Sequence, residues 1–324
     1  MQTRNYNWGI LGAGKIAEKF AQDLATVNGA VLYAVASRSI DKAEEFAKNH
    51  KIMISYGSYL ELVEDENIDI IYVATPHSFH FEHAMLCLKH QKAVLCEKPF
   101  GINLEQVEAM ISLAKEKNVF LMEALWTQFL PHFQFVSELT MSKKYGELLD
   151  IKADFGFNAA FDADNRLYNK ELGGGSLMDV GIYPVFLALS LLGYPENITA
   201  EAKFGSTGVD ENCNMQLSYA NGAKADLYSA INETTPITAT LRFDKATVII
   251  NSRFHEPSSV SIQTNENIET KEFPVTTHGY NFEAAHVQDM IKENRIESNL
   301  MTFEKSKNLI SILDRIRKQI NLKY

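Results

Sequence analysis

The sequence predicts an α/β protein in two parts: a doubly wound parallel sheet, then an α+β domain carrying a large, mostly antiparallel open sheet. Three observations carry that expectation. The chain has 324 residues, roughly two domains at ~150 residues each. Its first ~120 residues alternate short apolar runs with helical patterns, as βαβ units do. After Phe129 the rhythm changes to strand-like runs separated by turn residues, which favours antiparallel pairing.

Residues 7–11 read as the first strand and 15–27 as the first helix, with Ile16, Phe20 and Leu24 on one face. Residues 31–37 and 41–50 repeat the unit. A buried strand at 68–74, a helix at 80–90, a strand at 93–96, a helix at 104–117 and a strand at 119–122 complete the doubly wound part. In the second half, 148–157, 199–204, 214–219, 224–230, 238–243, 247–250 and 259–264 are strands, with Asn221-Gly222 as a hairpin signal. One helix, 175–192, interrupts them. Helical spacing of His286, Met290, Leu309, Leu313 and Ile316 returns towards the end. The boundary is placed within 123–131, giving domains 1–123 and 124–324, with the C-terminal helices able to pack back on the first.

Composition narrows the function classes. Hydrophobic residues at 46% and charged residues at 22% fit a folded globular chain. The balance of 31 basic and 41 acidic residues, a net charge of −10 without a basic tract, argues against nucleic acid as a partner. Apolar stretches are interrupted or short of the ~20 residues that span a bilayer, and the N-terminus lacks a signal-peptide pattern, so a cytoplasmic protein with no membrane partner is expected. Cys87, Cys96 and Cys213 lack C-x-x-C spacing and read as buried free thiols.

The first strand runs into Gly12-Ala13-Gly14-Lys15-Ile16-Ala17, a G-x-G-x-x-A turn opening a helix. Gly12 permits the tight turn, Gly14 lets the backbone approach a pyrophosphate, and Ala17 permits helix-to-sheet packing. The helix N-terminus attracts the anion, so Gly12, Ala13, Gly14, Lys15 and Ile16 are expected cofactor contacts. At the end of the second strand an acid would select NAD; here Ser37-Arg38-Ser39, with Lys42 one turn later, favours NADP(H). Arg38 is suited to fork onto a 2′-phosphate while Ser37 or Ser39 donates a hydroxyl.

Thr75-Pro76-His77 follows the next strand and is expected beside the cofactor. His77, His80 and His83 are spaced for clustering on a helix, but no carboxylate or thiol completes a ligand set, so capping or pocket lining is expected and no metal. The following strand ends in Glu97-Lys98-Pro99, presenting Lys98 into the same crevice, and Glu97 and Lys98, with His80, are expected cofactor contacts. In the second half, a flexible run Gly173-Gly174-Gly175 leads into a helix on which Asp179 and Tyr183 share one face.

These strings together, G-A-G-K-I-A, T-P-H-S-F-H, E-K-P and G-G-G-S-L-M-D-V-G-I-Y, resemble the Gfo/Idh/MocA oxidoreductase family over essentially the whole chain. M-E-A-L-W-T-Q-F-L-P at 122–131 and Arg166-Leu167-Tyr168 are similar to the branch of dimeric dihydrodiol dehydrogenases and NADP-dependent xylose dehydrogenases. The resemblance implies a Rossmann domain, dimerisation through the open face of the second sheet, and catalysis by Lys98. Many members carry His where this sequence has Tyr183, a departure that matches the diol and aldose branch.

The expected activity is NADP(H)-dependent hydride transfer at a secondary alcohol or carbonyl of a cyclic diol, aldose or related sugar-like substrate. Tyr183 is the expected general acid/base, its phenol lowered from ~10 by Lys98, which also holds the substrate oxygen. Asp179 would orient substrate hydroxyls or Lys98, while Trp126 and Phe157 are pocket walls or plain core. A homodimer is expected if both faces of strands such as 224–230 are apolar. Two alternatives share the superfamily. A non-catalytic NADP-sensing regulator is disfavoured by Lys98 and Tyr183, and an NAD-dependent redox-cycle glycosidase by Arg38.

Overall fold

Trp8, Ile10 and Leu11 are wholly buried because their strand, β1 (Tyr6–Leu11), lies inside a parallel sheet, where apolar runs lose water on both faces. The computed structural model describes residues 5–324. Its remaining parallel strands are β2 (Ala30–Ala36), β3 (Ile54–Tyr56), β4 (Ile70–Val73), β5 (Ala93–Glu97) and β6 (Leu121–Ala124). They lie in the order β3-β2-β1-β4-β5-β6, the doubly wound arrangement that the sequence predicts. Between them run α1 (Lys15–Leu24), α2 (Ile40–His50), α3 (Tyr59–Glu64), α4 (His80–Lys89) and α5 (Leu104–Lys117).

Strand register fixes the site. Leu11 pairs with Ala36 and with Val73, and Val73 pairs with Cys96, so four strands end in one row. The residues just past that row belong to the sequence motifs: Gly12, Ser37, Ala74-Thr75 and Glu97-Lys98. Strand order reverses between β1 and β4, which is where ligands of open α/β sheets bind.

The second sheet comprises β7 (Leu148–Gly156), β8 (Asn197–Phe204), β9 (Asp210–Ser218), β10 (Lys224–Ala230), β11 (Ala239–Phe243), β12 (Thr247–Ile250), β13 (Val260–Gln263) and β14 (Ile268–Lys271). Its order is β14-β13-β12-β11-β7-β10-β9-β8, antiparallel except for the parallel pair β10 and β7. Helices α6 (Pro131–Met141) and α7 (Ile182–Leu192) accompany it, and α8 (Tyr280–Lys292) and α9 (Phe303–Gln319) close the chain.

Two compact units result: the described part of Met1–Trp126 with Thr276–Lys307, and Thr127–Val275 with Asn308–Tyr324. Within the first, α8 packs on α1, and Asp23 explains why. Its carboxylate accepts from the backbone N–H groups of Gly279 and Tyr280, each at 2.8 Å, and of His278 at 3.0 Å. One side chain thus caps a helix far along the chain, an interaction worth about 1 kcal/mol in typical caps.

Several expectations need correction. The predicted helix at 175–192 is a π-helical turn, Leu177–Gly181, followed by α7. Pro184 lacks an N–H, and a wider turn just before it suits that missing donor. The segment Lys170–Leu192 is also long and apolar enough to cross a membrane by composition, yet its apolar part is mostly buried inside the fold, as for a core helix. The premise of an apolar outer sheet face fails at β10, where buried Ala225 and Leu227 alternate with outward Lys224, Asp226 and Tyr228. The cysteines need no correction: Cys87, Cys96 and Cys213 are free and buried as expected, and burial raises all three thiols.

Candidate functional site

Gly12 sits at φ +108, and a Cβ there would lie 3.0 Å from the Ala74 carbonyl oxygen, so both conformation and space demand glycine. Its N–H donates to Ala36 O at 3.0 Å, locking the turn to the end of β2. Gly14 is the N-cap of α1 and makes no side-chain capping bond; the helix therefore opens with N–H donors aimed at whatever anion approaches. Gly14 and Lys15 are exposed, Ala13 and Ile16 half-buried, and Ala17 is fully buried against the sheet, as the motif requires.

Past β2, Ser37 is half-buried and Arg38 exposed. The Arg38 guanidinium stands 6.0 Å from the Phe79 ring centroid, and its charge acts on Tyr59 and His83. Burial, with Arg38 adding to it, drops the His83 imidazole to about 4, so this ring is neutral near pH 7. His83 Nδ1 lies 2.9 Å from Thr75 Oγ1. A cation flanked by hydroxyls at the start of α2 is thus held on the row of strand ends, and no carboxylate stands at the second strand's end.

The three histidines do not form one cluster. His77 and His80 are 5.7 Å apart by ring centroid, but His80 is enclosed, with Nδ1 2.7 Å from Pro99 O and Nε2 2.8 Å from Thr75 O. It braces the two turns that carry Thr75-Pro76 and Lys98-Pro99, while His83 turns to Thr75. Their separate partners explain why helical spacing overstated the grouping: His77 lies in a 3-10 turn, Pro76 preceding it, and not on α4. Among the described residues no group of acids, histidines and cysteines is arranged to hold a metal.

Lys98 is half-buried at the end of β5, joined to Pro99 by a cis peptide. Glu97 turns inward: it accepts from Tyr72 Oη, and its Oε2 accepts from Lys98 N at 3.2 Å. Trp126 is 5% exposed and stacked on Tyr280 with centroids 4.3 Å apart.

In the second unit the glycine run is close-packed, contrary to the flexible reading. A Cβ at Gly174 would lie 2.6 Å from Arg166 O, and one at Gly175, φ +114, only 2.1 Å from Asp210 Oδ1. Asp210 is a residue the sequence reading missed. From the head of β9 its Oδ2 accepts from Leu177 N at 2.7 Å and Ser176 Oγ at 2.8 Å, anchoring the start of the π turn. Burial, working against those bonds, raises its carboxyl to about 7. No local spacing betrays an anchor so far along the chain.

The π turn and α7 then present Asp179 and Tyr183, 5% and 7% exposed. Asp179 Oδ1 receives Arg166 Nη1 at 2.7 Å, which fixes the carboxylate through a half-exposed guanidinium. Tyr183 packs against Phe155, centroids 5.7 Å apart, and against His255 at 4.8 Å; Phe157 is half-buried beside Phe155. His255 was also missed. Lys98 belongs to the first unit, Asp179 and Tyr183 to the second.

The chain is similar to known proteins over nearly its whole length. Residues 6–125 match the model of an oxidoreductase family with an NAD-binding Rossmann fold, and residues 133–249 match the GFO/IDH/MocA C-terminal domain. A trans-1,2-dihydrobenzene-1,2-diol dehydrogenase from Xenopus tropicalis is 36% identical over 329 residues, covering 98% of each chain. An NADP(+)-dependent scyllo-inositol 2-dehydrogenase from Bacillus subtilis (strain 168) is 33% identical over 322 residues, 97% of each. Among solved structures, an aldose-aldose oxidoreductase from Caulobacter crescentus complexed with glycerol superposes with a TM-score of 0.90 at 24% identity, covering 98% of each chain. A 3-ketoreductase from Actinomadura kijaniata in complex with NADP and TDP-benzene gives 0.90 at 22%, again over 98% of each. At these identities the structural likeness speaks for the fold.

Proposed function

We infer the function of this chain from the premise that it belongs to the Gfo/Idh/MocA oxidoreductase family. It is an NADP(H)-dependent oxidoreductase that acts on a CH–OH group or the matching carbonyl of a cyclic diol, aldose or related sugar-like substrate. The observation that carries this reading is the row of strand ends: an anion-binding turn at Gly12–Gly14 and a cationic Arg38 with no competing acid, in a chain 36% identical to a dihydrodiol dehydrogenase. The inositol and diol activities named for the relatives support an alicyclic or sugar-like polyol.

The residues fit the cofactor. Gly12, Ala13, Gly14, Lys15 and Ile16 would hold the pyrophosphate at a turn that a Cβ would fill, and Ser37 and Arg38 the 2′-phosphate. When bound, the nicotinamide supplies or accepts the hydride. Thr75, Pro76, His77 and His80 shape the adjoining turn, with His80 working through the backbone.

The alcohol proton needs a partner, and Tyr183 takes that role as general acid/base. Lys98 polarises the substrate oxygen and favours the phenolate, while Asp179, fixed by Arg166, orients substrate hydroxyls. Trp126 and Phe157 are assigned as apolar walls of the substrate pocket.

Fluorescence titration tests the cofactor assignment. NADPH is expected to bind at least tenfold tighter than NADH, about 1.4 kcal/mol, and Arg38→Asp to lose that preference. Equal affinities, or an Arg38→Asp variant that still prefers NADPH, would sink it.

We also assign a homodimer through the outer face of the second sheet, on the strength of the family resemblance. Because that face carries charged side chains, including the Arg242–Asp150 pair, association should weaken with salt. Light scattering at micromolar concentration should give twice the chain mass; a monomer there contradicts the assignment. A cytoplasmic location is supported by the three buried free thiols, and cell fractionation checks it.

A further inference from the structure

Tyr183 has a titratable ring beside it that the proposed function leaves unused. His255 is 3% exposed, stacks on Phe155 with centroids 4.0 Å apart, and leans on Tyr183 at 4.8 Å with the planes at 45°. Its loop, between β12 and β13, is pinned from several sides. Arg253 N donates to Ile237 O at 2.8 Å, Thr127 Oγ1 to His255 O at 2.8 Å, and His132 Nε2 to Phe254 O at 2.9 Å. A ring fixed in this way sets the orientation of its neighbour.

The ring is also joined to charge. His255 Nε2 lies 3.5 Å from Glu256 Oε1, and Arg253 Nε donates to Glu256 Oε2 at 2.6 Å. Burial alone would raise the Glu256 carboxyl, yet Arg253 and His255 hold it well below the usual carboxylate range. Burial disfavours charge on the His255 ring and the adjoining carboxylate opposes that effect; whatever positive charge the pair holds there favours the neighbouring phenolate.

Other charged groups on elements packed against this helix are Asp179 with Arg166, Asp210 at the head of β9, and His132 on α6, which burial lowers to about 4. Lys152 and Asp154 on β7 and Lys224 and Asp226 on β10 alternate with the buried positions, on the sheet's outer face.

We propose, resting on the assignment of proton transfer to Tyr183, that His255 is a positioning residue for that tyrosine: its ring sets the phenol's orientation, and its Glu256-paired charge favours the phenolate. His255 is argued to act through Tyr183, so its signature is a split between kcat and binding. His255→Phe keeps an aromatic ring and removes the charge. With whichever diol or aldose of a substrate panel turns over fastest, it should lower kcat about tenfold and move the midpoint of alcohol oxidation up by about one pH unit, with KM and NADPH affinity within about twofold. Removing positive charge raises the phenol pKa, so the base form appears only at higher pH. Glu256→Gln should shift the midpoint in the same direction by less.

Unchanged kcat and midpoint in His255→Phe overturn the proposal while leaving the Tyr183 assignment standing, provided Tyr183→Phe is impaired in the same assay. Should His255→Phe fail to fold, an unmoved midpoint in Glu256→Gln overturns it instead. A fully active Tyr183→Phe removes both readings together.

Discussion

Tyr183→Phe is expected to lower kcat about 10²- to 10⁴-fold while NADPH affinity stays within about twofold of the wild type. The change removes one oxygen and leaves a ring of nearly the same volume between Phe155 and His255, so packing in this buried position survives. A purely structural tyrosine would hardly notice the loss. Far-ultraviolet circular dichroism and the melting temperature should match the wild type, and steady-state kinetics should not. Near-wild-type turnover would move proton transfer to Lys98 or Asp179.

Lys98→Met should act on the same step. Methionine retains much of the apolar stem and loses the ammonium, and the backbone bond from Lys98 N to Glu97 Oε2 does not depend on the side chain. A fall in kcat of about 10²- to 10⁴-fold is expected, and the Lys98→Met, Tyr183→Phe double variant should lose less than the product of the single losses. Two residues serving one proton behave as a unit; strictly multiplicative losses in the double-mutant cycle would show that they serve separate steps.

The cofactor half of the site was legible because its signals are local. Gly12 and Gly14 punctuate the first strand and helix, Pro76 and Pro99 follow the third and fourth predicted strands, and in-register parallel pairing brings those ends together without further information. Four of the labelled elements escaped: β3, α3, α6 and β14. β3 has three residues, too few for periodicity to register, whereas α3 carried a readable signal, the Ser58–Glu61 capping box. α6 likewise begins with Pro131 at its first turn.

The second unit was less legible because its supports are distant in sequence. Asp210 anchors the π turn from β9, and His255 reaches Tyr183 from the loop after β12. A lone Asp or His carries no spacing signature, so chemistry of this kind is found only once the sheets have formed. The glycine run shows the converse: three glycines read as freedom, whereas Gly174 and Gly175 are required by close approach of carbonyls and a carboxylate.

The central claim is hydride exchange between NADP(H) and a diol or sugar-like substrate, and one measurement tests it most directly. Purified protein is incubated with NADP+ and a panel of cyclic trans-diols, inositols and aldoses, and separately with NADPH and the matching carbonyl compounds, while cofactor absorbance is followed. Stoichiometric, enzyme-dependent conversion of NADP(H) with at least one class, faster than with NAD(H) and strongly reduced in Tyr183→Phe, is the predicted result. Tight NADPH binding with no turnover in either direction on any class would contradict the account and leave a cofactor-sensing protein in its place.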